Sequence, residues 1–81
     1  MNAINQIDIQ YLRSSRTLEV LLVSNGSKKR TFYLYNYEGF HFRLFETLSN
    51  FVGFLKNESM NCLEFNDDYE VEKYLEVFDL E

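Results

Sequence analysis

Proline is absent from the chain, cysteine and histidine occur once each, and glycine occurs three times. With no proline and no Gly/Ser-rich stretch, nothing marks a linker, and 81 residues suit one domain, residues 1–81. A single cysteine, Cys62, cannot form an internal disulfide, which removes the staple that small secreted domains depend on. No apolar run approaches the roughly 18 residues that a membrane-spanning helix needs. Met1 to Asp8 also lacks the basic start and apolar stretch of a signal peptide. A cytoplasmic location and no membrane partner are expected.

Scarcity removes chemistry as well. Cysteine–histidine nucleophilic catalysis would need Cys62 beside His41, and neither sits in a recognisable sequence context. Cys62 opens a short apolar segment, where a buried structural thiol is the commoner outcome. Zinc sites need several Cys or His at close spacing. The acidic run at residues 66–70 lacks the central glycine of a calcium loop, and helix capping accounts for it. Gly26, Gly39 and Gly53 form no phosphate-cradling loop. No catalytic, cofactor-binding or metal site is expected, and the chain reads as non-enzymatic.

Aromatics, by contrast, are plentiful: eight Phe and six Tyr in so short a chain. They bury large areas, and the tyrosine hydroxyl suits half-wet surfaces. Charge is unevenly placed. Residues 1–43 carry six basic residues against three acidic ones, while residues 44–81 carry ten acidic residues against Lys56 and Lys73. The ordinary role of such runs is solubility; the functional alternative is a dipolar molecule with an acidic helical end.

Residues 6–12 alternate Ile7, Ile9 and Tyr11 with polar residues, a strand pattern. A polar connection over residues 13–16 precedes a second strand over residues 18–23. The Asn25-Gly26 pair then supplies a tight turn, and residues 31–37 form a third strand. A turn over residues 36–39 leads to a fourth strand, with Phe40, Phe42 and Leu44 on one face. After Phe45 the period changes. Thr47 suits an N-cap, with Leu48, Phe51, Val52 and Leu55 at helical spacing; residues 62–65 suit a short strand. Asp67 and Glu70 make a capping-box-like start, followed by Val71, Tyr74, Leu75 and Phe78 on one helical stripe. The expected fold is α+β and two-layered: an antiparallel meander of three to four strands, then an amphipathic helix, a short strand and a C-terminal helix. Both helices are expected on one sheet face.

Residues 38–45, with Phe40 and Phe42, are similar in spacing to the longer signature of the RNA recognition motif family, and residues 32–37 resemble its shorter one. The resemblance implies aromatics that stack on unpaired bases. Yet the segments are almost adjacent here, Glu38 stands where the family has a basic residue, and His41 where it has a small one. A sheet followed by acidic helices is also similar in layout, without any shared motif, to some phage-encoded anti-CRISPR inhibitors.

The functional expectation is a protein-interaction module acting as regulator, adaptor or inhibitor, bound to another protein or to a second copy as a homodimer. Its candidate interface is an exposed patch of Leu21, Val23, Tyr33, Tyr35 and Tyr37, left over because the helices cover the other face. The alternative is a nucleic-acid-linked role, either single-strand binding through the aromatic strands or mimicry of nucleic acid by the acidic helices. Net charge of −5 disfavours direct nucleic-acid binding.

Overall fold

A computed structural model of the chain describes residues 7–14, 17–37 and 41–78. Five strands run in chain order across one antiparallel sheet: β1 (Asp8–Ser14), β2 (Leu18–Asn25), β3 (Lys28–Tyr37), β4 (His41–Phe45) and β5 (Leu63–Phe65). Helix α1 (Leu48–Leu55) lies between β4 and β5, and α2 (Asp68–Glu76) follows β5. The α+β meander is thus present. The short segment near Cys62 joins the same sheet as its fifth strand, against Phe42, Arg43 and Leu44. The expected break at Arg13 gives way to a β1 that runs on to Ser14 across an irregularity at Leu12. Phe40 and part of the turn expected over residues 36–39 lie outside the described residues.

The β2–β3 hairpin sets the register of its two strands. Asn25 pairs with Lys28, so the two central turn residues are Gly26 and Ser27. Gly26 has φ +66°, and Ser27 is not left-handed; these are the φ signs of a type II′ turn, which wants glycine first. From that turn the ladder places Leu21 opposite Phe32, Glu19 opposite Leu34, and Val20 opposite Tyr33. Residues directly opposite share a face. Leu21, Val23, Phe32, Leu34, Phe42 and Leu44 therefore make one apolar face, and all six are buried.

Helix α2 covers that face through Val71 and Leu75, with Tyr74 and Phe78 packed beside them, the stripe the sequence predicts. Its start is capped twice: the Asp67 carboxylate accepts the N–H of Glu70 at 2.8 Å, and Glu70 reaches back to the N–H of Asn66 at 2.9 Å. Helix α1 starts where Thr47 Oγ1 accepts the N–H of Asn50. It stops at Asn57, whose φ of +67° permits two closing bonds, Asn57 N–H to Phe54 O and Glu58 N–H to Gly53 O.

The expectation that both helices share one face is corrected by their side-chain contacts. Phe51 and Phe54 of α1 meet Tyr33, Tyr35 and Phe45, all on the face opposite α2. The physical reason is in β4. Leu44 and Phe45 are consecutive, point to opposite sides, and are both buried, so each side of the sheet needs its own cover.

Candidate functional site

The aromatic face is built by β3 and β4. Tyr33, Tyr35 and Tyr37 alternate along β3, and the ladder sets Phe45, Arg43 and His41 directly opposite them. Period two puts all six side chains on one side. Tyr33 stacks on Phe51 with centroids 6.1 Å apart, and Tyr35 meets Phe54 edge-on at 5.3 Å. Further along, Tyr35 stacks on Tyr37 at 5.8 Å and Tyr37 on His41 at 5.1 Å. The tyrosines are half-buried, and α1 occupies the Tyr33 and Tyr35 end of the row.

Arg43 organises the same face. Its guanidinium lies 5.7 Å from the ring centre of Tyr37 and 5.3 Å from that of Phe54. One amino group donates to Cys62 Sγ at 3.6 Å and stands 3.4 Å from the Glu64 carboxylate. The contact with Cys62, more than any other, holds the guanidinium pKa above its ordinary value. An arginine between two rings is a strong local fastener because its planar cation attracts both π faces. It ties β4, β5 and α1 together, and sequence reading assigned it no such role.

Leu21 and Val23 do not belong to this face. They lie on the α2 side, 1% and 0% exposed, and the patch expected from the sequence is corrected for these two residues. Their places beside the tyrosines are taken by Leu18 and Val20, opposite Tyr35 and Tyr33, and by Leu22, opposite Thr31. These three are only half-buried, while the ring contacts of α1 fall on β3 and β4.

Among the described residues no group of three or more His, Cys, Asp or Glu is placed to hold a metal ion, and no helix is long and apolar enough to cross a membrane. No family model, no curated protein and no solved structure matches the chain.

Proposed function

We propose that the chain is a small cytoplasmic, non-enzymatic protein-interaction module, a regulator, adaptor or inhibitor that works by binding. One observation carries the reading: the second sheet face is apolar across β2 and β3, and its β2 residues Leu18, Val20 and Leu22 stay half-buried although the aromatic rings of α1 pack on β3 and β4. Leu18, Val20 and Leu22, next to Tyr33 and Tyr35, thereby form a contact surface rimmed by tyrosine. Tyrosine suits such a place, since its ring adds apolar area at little entropic cost and its hydroxyl keeps the free state soluble. The acidic outer surface of α2, with Asp68, Glu70, Glu72 and Glu76 exposed, gives the module a second recognition element. Protein is favoured over nucleic acid as partner by Arg30. Of the basic residues at the β2–β3 turn it is already engaged, 3.5 Å from the Glu46 carboxylate and stacked over Phe78.

Capture from the native lysate with the tagged wild type and a Val20→Asp variant, alongside light scattering of both, tests this. The expected result is a protein, or a second copy, held by the wild type and lost from a variant that melts as a folded domain. Identical partners and identical size for both would remove the β2–β3 face from the account.

A further inference from the structure

A concavity lies on the α2 side of the sheet, between β1 and α2. It encloses about 220 Å³, with a floor of Leu21, Leu34, Phe42, Val71 and Leu75. Tyr11 stands at its β1 wall with half its surface exposed. Asp68 and Glu72, one helical turn apart on α2, stand at the other wall. Neither carboxylate is ion-paired with a described residue. Glu19 of β2 and Asn36 of β3 complete the lining, and the Asn36 Oδ1 is fully buried with no hydrogen-bond partner. A buried acceptor left without a donor costs free energy that a bound donor restores.

We infer that this groove receives an arginine side chain from a protein partner, an inference that rests on the interaction reading above. Each wall matches one part of that side chain. The apolar floor suits the three-carbon stem. The carboxylates of Asp68 and Glu72 suit the cation, and the Tyr11 ring offers it a π face. Asn36 Oδ1 lacks a donor but has no exposed surface, so it takes one of the five guanidinium donors once the Asn36 side chain turns toward the groove. Arginine fits better than lysine because these acceptors come from two different elements, and a planar fork can serve them together. The electrostatics of Tyr11 agree. Burial first, then Glu72, Glu19 and Asp68, hold its phenol above the usual range, which marks the groove as a place of negative potential.

The test is an NMR titration of the full isotope-labelled chain with the peptide acetyl-Ala-Arg-Ala-amide and with its citrulline counterpart, which keeps the shape and loses the charge. The Asn36 side-chain amide and the Tyr11 ring signals should move saturably with the arginine peptide, and about tenfold more weakly or worse with citrulline. Glu72→Gln combined with Asp68→Asn should abolish the response while the backbone spectrum stays folded. Equal response to both peptides, an undiminished response in the double variant, or no saturable movement at Asn36 and Tyr11 overturns the assignment. The titration needs no native partner, so failure of the groove is separable from failure of the interaction reading, which lysate capture decides.

Discussion

Tyr33 lies nearly parallel to Phe51, with ring planes 14° apart, so a tyrosine of the candidate interface is also a seat for α1. Loss of that ring removes apolar area and an aromatic pair worth about 0.5–1.5 kcal/mol beyond its area. Tyr33→Ser should therefore lower stability by roughly 1–3 kcal/mol, less than the full cost of a buried aromatic because the residue is half-exposed. Urea melts measure it. A variant as stable as the wild type would mean that α1 docks without this contact.

Two leucines, one on each helix, make a matched comparison. Leu75 on α2 is 1% exposed and sits in the main core, whereas Leu55 on α1 is 55% exposed. Leu75→Ala should cost about 2–5 kcal/mol. Leu55→Ala should stay within about 0.5 kcal/mol of the wild type. Similar losses at both sites would show that the outer side of α1 is covered in solution.

Gly53 sits inside α1 beneath Met60. A Cβ there would lie 2.8 Å from Met60 Cε and 2.9 Å from its Sδ, the far end of a flexible side chain. Alanine improves helix propensity by about 1 kcal/mol, and displacing the thioether offsets much of it. Gly53→Ala should thus be near neutral alone. In a Met60→Ala background the same change should stabilise by about 1 kcal/mol, as a four-variant cycle of denaturant melts would reveal.

Alkali should weaken the fold through Tyr11 and Tyr74. Burial raises both pKa values above the ordinary 10.0, helped by carboxylates around Tyr11 and by Glu46 beside Tyr74. The folded state then holds these protons after the unfolded state has begun to release them. With more protons bound in the native form, stability falls as pH rises from the unfolded pKa towards the higher folded one, and is full below it. Chemical denaturation from pH 8 to 11 should show the loss. Tyr11→Phe and Tyr74→Phe should each flatten that slope, and an unchanged slope in both would contradict the assignment.

Much of this architecture is readable in the sequence, because strands and helices differ in period and the stripe Val71, Tyr74, Leu75 and Phe78 is unambiguous. The face of Leu21 was readable too. A two-residue hairpin loop, whether centred on Asn25-Gly26 or Gly26-Ser27, pairs odd-numbered β2 residues with even-numbered β3 residues. Leu21 and Val23 are thereby committed to the side of Phe32 and Leu34, away from the tyrosines. The choice of face by each helix is harder. Periodicity says which side of α1 turns inward, but not which side of the sheet it meets; the adjacent Leu44 and Phe45 are the only local hint. Arg43 was illegible, since Phe54 and Cys62 reach it only when α1 and the segment leading into β5 close against β4.

Strand order that equals chain order has a kinetic consequence. Pairings from β1 through β4 each join neighbours in the chain, so they close short loops at small entropic cost and can zip early. The β4–β5 pairing is different, because the chain between Phe45 and Leu63 must first wind through α1. Arg43 bridges Phe54, Cys62 and Glu64 across that junction. Seating α1 and adding the last strand are thus expected as one late event, and Arg43→Ala should speed unfolding while leaving the folding rate nearly unchanged, as stopped-flow folding and unfolding rates would show.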